Sequence, residues 1–221
     1  LRAAHKAVFS RPSLPSFRME RSDFILGFGA DFIETWLSPV EYIRKFKAMN
    51  SVEHGPKGMF VHVGPYMSLT AANADKFLPI TAGTEYMVAL GMIRQILATR
   101  TIDHLPDPFL TELAAVAAVY DAEFVEQNTG FLAADQTRLA QSLLASHSPL
   151  VLGSTGATAA DTSFALEMAV TLMNLLLDKD LSLYDFERRH ALERVMTARE
   201  TAAVFELAVK APTDLFLFYN T

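Results

Sequence analysis

The chain has 221 residues, of which 51% are apolar and 20% charged, with a net charge of −6 and a pI near 5.5. That is enough apolar material for one large or two small packed domains and excludes a disordered chain; the acidic balance, with no basic stripe, excludes a nucleic-acid binder. With no cysteine, the segment can supply no disulfide, thiolate metal ligand, iron–sulfur ligation or cysteine nucleophile.

The six histidines, at 5, 54, 62, 104, 147 and 190, show neither i,i+4 nor HxH spacing, so no metal ligated by this segment is expected. No run reaches the roughly 18 apolar residues of a membrane span. The nearest, 164–177, is interrupted by Glu167 and Asn174. The chain opens on Leu1 and stops just after the apolar run DLFLFYN, which suggests a fragment of a longer protein.

Taken in order, residues 1–22 carry Pro12 and Pro15 and read as a surface lead-in. The run at 23–28, DFILGF, is a strand too apolar to alternate, as expected of one covered on both faces. It ends in the turn Gly29-Ala30-Asp31. Ser38-Pro39-Val40-Glu41 is a helix start with a capping box and a proline at the first helical position, and its helix extends to about residue 50. A second apolar strand, MFVHV at 59–63, breaks into the small-residue loop 64–75. A short apolar piece, 77–80, leads to Ala82-Gly83-Thr84-Glu85, where Thr84 is the expected N-cap of a long amphipathic helix.

DHLPDPF at 103–109 is the best linker candidate and divides the chain into an α/β unit at 1–106 and a second one at 107–221. Helical patterns continue to about 146, and PLVLGS at 149–154 is a third buried strand. GSTGATAAD (153–161) is a loop before a helix that Asp161 and Thr162 could cap and that reaches about 177. Thr197 to Glu200 reads as another capping box, opening a helix to about 210, and 214–220 reads as a fourth strand. Strands alternate with helices, so the expected fold is α/β with a mainly parallel sheet, Rossmann-like in three α/β/α layers.

The chemistry-bearing stretches all lie where strands end, which is where such sheets bind ligands. Gly27 to Phe32 begins like GxGxxG but has Phe32 at the third glycine, so a strand-to-loop turn explains it as well as a dinucleotide fingerprint. Gly153-Ser154-Thr155-Gly156 could bind an anion through free amides or be ordinary turn chemistry. It is not GxSxG, so Ser154 is a poor hydrolase nucleophile. Asp75 and Glu85 could accept hydrogen bonds from sugar hydroxyls or a purine amidine edge, or serve only their own loop and helix. The 16 phenylalanines and 9 methionines are core.

The order of these motifs carries a resemblance. DFILGFGADFIETWLSPVEYIRKF, FVHVGPYMSLTAANADKFLPITAGTEYMVALGM, YDAEFVEQNTGF and LVLGSTGATAADTSFALEMAVTLMNLLL resemble the molybdopterin oxidoreductase (dimethyl sulfoxide reductase) superfamily. They are most similar to the molybdopterin-like subunits of membrane-bound quinone-linked complexes such as alternative complex III. The resemblance spans roughly residues 20–221 and is most specific over its first hundred.

It implies an oxidoreductase parent active in electron transfer, with molybdopterin guanine dinucleotide held between two Rossmann-like units. On that resemblance the cofactor-binding residues would be Gly29, Ala30 and Asp31 in the first loop, Ser68, Thr70, Asn73 and Asp75 in the second, and Gly83, Thr84 and Glu85 at the guanine contact. It implies no catalytic residue in this segment. The implied partners are the rest of the polypeptide and the iron–sulfur and membrane subunits of a complex, at the periplasmic face of a membrane.

Three positions depart from the family pattern. Gly64 and Tyr66 stand where an acid and an arginine flank the proline after the second strand, and Ala82 replaces the proline of PGT. A pyrophosphate loses a charge-assisted hydrogen bond without that arginine. The alternative expectation is therefore a cofactor-free scaffold subunit; a third is an unrelated Rossmann-type nucleotide binder.

Overall fold

The computed structural model describes residues 1–53, 55–153, 160–190, 195–196 and 198–210. Four parallel strands form its central sheet: β2 (Phe24–Phe28), β3 (Met59–Gly64), β4 (Lys76–Pro79) and β5 (Pro149–Gly153), in the spatial order β4-β3-β2-β5. The register is continuous, Phe24 opposite both Met59 and Pro149 and Phe28 opposite both Val63 and Gly153. From β2 the chain steps one way to β3 through α2 (Pro39–Met49) and later the other way to β5, after α4 (Glu85–Thr99), α5 (Asp107–Ala117), α6 (Ala122–Thr129) and α7 (Ala133–Ala145). Right-handed crossovers in opposite directions must lie on opposite faces, and they do.

Strand alternation sorts the side chains between two cores. Phe24, Leu26, Phe28, Val61, Val63 and Val151 face α4–α7 and α8 (Ala160–Leu177), while Ile25, Phe60, Leu150 and Leu152 face α2. The fold is thus α/β with Rossmann-like layers, as expected. The boundary drawn at 106–107 falls within one sheet, because β5 pairs directly with β2. Asn174 of α8 donates to the Val151 carbonyl at 2.8 Å and accepts from the Val151 amide at 2.9 Å, matching on a side chain what a neighbouring strand would offer.

Residues 1–22 are not a surface lead-in. They form α1 (Arg2–Phe9), β1 (Leu14–Phe17) and a 3₁₀ turn at Met19–Arg21, and bury Ala4, His5, Leu14, Phe17 and Met19. Their partners lie far along the chain: α1 packs on α8, and β1 pairs antiparallel with β6 (Tyr184–His190). A window-by-window reading misses such pairing, although Tyr184 and Phe186 alternate with charges as a half-buried strand does.

Two expected caps differ. Ser38 occupies the N-cap of α2 without a side-chain bond, and the Glu41 carboxylate accepts from Lys45 and Ser16 rather than closing a capping box. Thr84 is the N-cap residue of α4, but its hydroxyl donates back to the Thr81 carbonyl at 2.6 Å. The final helix, α9 (Ala198–Lys210), follows the expected span. The strand expected at 214–220, Thr197 and loop residues 154–159 lie outside the described residues, as does the side chain of Asp161.

Candidate functional site

The carboxyl ends of β2, β3 and β4 line up along one edge of the sheet. Gly29, at φ 62°, turns the chain off β2 while its amide stays bonded to the Val63 carbonyl at 3.0 Å. A side chain there would be strained by the left-handed backbone. Ala30 is buried behind it, and Asp31 is only 6% exposed. The Asp31 carbonyl accepts from the amides of Glu34, Thr35 and Trp36, which closes the turn.

Four bonds then join this loop to the one after β3. Tyr66 donates its hydroxyl to Asp31 Oδ2 at 2.9 Å, and Ser68 donates to Asp31 Oδ1. Thr70 Oγ1 accepts from the Ile33 amide at 3.1 Å, and Glu34 accepts from the Leu69 amide at 2.9 Å. Ser68 also caps α3 (Leu69–Ala72) by accepting from the Ala71 amide. Its hydroxyl is thereby fixed at both ends. The bond that Tyr66 donates to Asp31, with burial and the charges of Asp31 and Glu34, raises its pKa, so the phenol remains a donor.

Beneath this edge lies His62, 1% exposed, with no partner for Nδ1. Burial pushes its pKa down to about 4 against the pull of the Asp31 charge, so the ring is neutral. A Cβ at Gly64 would come within 3.2 Å of its Nε2. The imidazole thus occupies space that a side chain at 64 would enter, which gives a physical reason for glycine where the resembled family carries an acid.

The remaining expected residues separate into three places. Gly83, at φ 82°, and Thr84 lead from β4 into α4, and Glu85 in its first turn is 1% exposed with no partner for Oε1. Burial raises its pKa, opposed by the amides of Glu85 and Gly83. Asn73 donates to the Leu69 carbonyl at 2.8 Å and lines a groove of about 520 Å³ beside α2. Asp75 is elsewhere: it holds the start of β3, accepting from the Phe60 amide at 2.9 Å and pairing with Lys57 at 2.5 Å. Burial opposes its charge, but those two bonds outweigh burial and keep its pKa below the usual value. Its position at the amino end of the strand gives it an architectural role. Sequence reasoning missed His62, Glu34 and the Tyr66–Asp31 bond, although Tyr66 had drawn notice as a departure.

The nucleotide group implied by the resemblance fits one part of this edge. Glu85 offers a buried, unsatisfied acceptor of the kind an amidine edge would fill. The edge between β2 and β3 does not fit a pyrophosphate. It presents Asp31 and Glu34, and among the described residues neither has an ion pair. Among the described residues no group of His, Asp and Glu could hold a metal ion.

The layered sheet with loops gathered at its carboxyl edge defines a Rossmann-like α/β architecture. It is similar in structure to acetylene hydratase from Pelobacter acetylenicus, with a TM-score of 0.63 at 17% identity over 86% of this chain and 25% of that one; at that identity the likeness speaks to the fold. In sequence, 136 residues, 62% of the chain, are 34% identical to the menaquinone reductase, molybdopterin-binding-like subunit of Nitratidesulfovibrio vulgaris. The chain spans 19% of that relative's length. No family model matches. The sequence likeness to a molybdopterin-binding-like subunit agrees with the resemblance that the order of the motifs carries.

Proposed function

We propose that the chain is the nucleotide-loop region of a molybdopterin-family subunit in a quinone-linked electron-transfer complex, and that it works there as architecture rather than as a metal-holding site. The match to a menaquinone reductase subunit supports the placement. The observation that carries the scaffold reading is the saturation of Asp31 by Tyr66 and Ser68 from its own chain. The loops that would cradle a pyrophosphate are bonded to each other, and the acidic edge repels one. Partner subunits would include electron-transfer and membrane-embedded proteins; no helix among the described residues is long and apolar enough to cross a membrane.

A second reading keeps the cofactor. The unpartnered Oε1 of Glu85 favours it, because a buried acceptor left without a donor is costly and a purine would satisfy it. When bound, the group would supply the metal dithiolene chemistry, and this chain would contribute Gly83, Thr84 and Glu85 to the base and nothing to the metal. Molybdenum and tungsten analysis of the purified native complex separates the two. The scaffold reading expects no stoichiometric metal in this subunit, and one metal per subunit would overturn it.

A further inference from the structure

Tyr42 of α2 is fully buried, and burial raises its pKa, so the phenol stays protonated. Its oxygen accepts from the Phe17 amide at 3.3 Å. Its own proton faces His190 of β6, whose Nε2 lies 3.1 Å away and accepts in the Nδ1–H tautomer. The same Nε2 stands 3.5 Å from Glu41 Oε2. Burial opposes the Glu41 charge, but the bonds from Lys45 and Ser16 outweigh it and keep the carboxylate's pKa below the usual value. Donor, base and counter-charge thus stand in line, and Glu41 and His190 open onto a polar groove of about 750 Å³. On the other side of Tyr42 the Trp36 ring lies 5.0 Å away, with its buried Nε1 facing no acceptor.

We propose that Tyr42 is a redox-active tyrosine, which a high-potential one-electron oxidant converts to a neutral radical while its proton passes to His190. The oxidant gains one electron, the Tyr42 O–H bond breaks and an Nε2–H bond forms on His190. The products are a phenoxyl radical and an imidazolium beside Glu41. Removing the electron alone would leave a cation in the apolar core, which is costly. Moving the proton to a base that already faces a carboxylate carries the positive charge to the groove instead. Trp36 has no such outlet for its N–H proton, so an electron vacancy shared between the two rings settles on Tyr42. The assignment deepens the electron-transfer reading and rests on it for the class of oxidant, a high-potential metal centre of a partner subunit.

The test is flash photolysis of the full-length subunit with tris(bipyridine)ruthenium(II) and a cobalt(III) ammine as sacrificial acceptor. The ruthenium(III) so formed stands in for the metal-centre oxidant, and freeze-quenched electron paramagnetic resonance reads the radical. Wild type should give a neutral tyrosyl signal that is retained in Tyr66→Phe and lost in Tyr42→Phe. His190→Gln keeps a hydrogen-bonding group but cannot hold the proton, and it should slow radical formation by roughly 100-fold, the scale of a positioned base. That position is 16% exposed, so the variant keeps the test open if Tyr42→Phe fails to fold. No tyrosyl signal in wild type, or one unchanged in Tyr42→Phe, would overturn the assignment, as would equal rates in wild type and His190→Gln. The photochemistry needs no metal or partner in the subunit, so molybdenum in the native complex would refute the scaffold reading without altering this result.

Discussion

Glu167 offers the sharpest quantitative test of the packing. It lies on α8 with 1% exposure, and neither carboxyl oxygen has a hydrogen-bond partner. It packs on Gly153 so closely that a Cβ there would stand 2.7 Å from Oε1. Burial raises its pKa from 4.5 to about 7, against the pull of the Leu1 amino group 3.9 Å from Oε2. At about 1.36 kcal/mol per pH unit, the gap between 4.5 and about 7 makes ionisation inside the fold about 3 kcal/mol more costly than in the unfolded chain. The folded state holds the proton more tightly, so this stability is complete below about pH 4.5. It is lost as pH rises towards about 7 and is constant above that. Glu167→Gln removes the charge at similar volume. Urea unfolding of both proteins from pH 4 to 9 should show the variant gaining on wild type by up to about 3 kcal/mol between those limits. Parallel curves over that range would refute the reasoning, because they would mean the carboxyl is solvated in the folded state.

Other substitutions probe separate links. Asn174→Leu strands the Val151 amide and carbonyl that its side chain satisfies and should destabilise by roughly 2–4 kcal/mol in the same unfolding assay. Gly64→Ala forces a methyl against His62 and should cost about 1–3 kcal/mol, and much less in a His62→Ala background; thermal melts of the four proteins give the coupling. Asp75→Ala should lower stability by about 1 kcal/mol, since its ion pair is substantially exposed, while leaving any nucleotide titration unchanged.

The sheet was legible because its strands are continuous apolar runs bounded by glycine, and β2, β3 and β5 fall within a residue of the expected spans. The β1–β6 ribbon was hidden because its two strands are remote in sequence and Pro15 lies inside the first. Of the site, Gly29, Asp31, Ser68 and Thr70 came together, since the parallel pairing of β2 with β3 brings the ends of those two strands side by side. Asp75 did not, because the chain descends after α3 and delivers it to the foot of β3. Partner choice was beyond pattern reading. Glu41 offered a capping box and took Lys45 and Ser16, and Asp31 offered an acceptor that Tyr66 took.

The central claim is that this edge is closed on its own side chains and carries no dinucleotide. The most direct measurement is the guanine nucleotide released per subunit when the purified native complex is denatured and hydrolysed, quantified by chromatography. The closed-edge account predicts far less than one guanine nucleotide per subunit. One or two per subunit would contradict it and make Glu85, with its unsatisfied oxygen, the first residue to examine as a base contact.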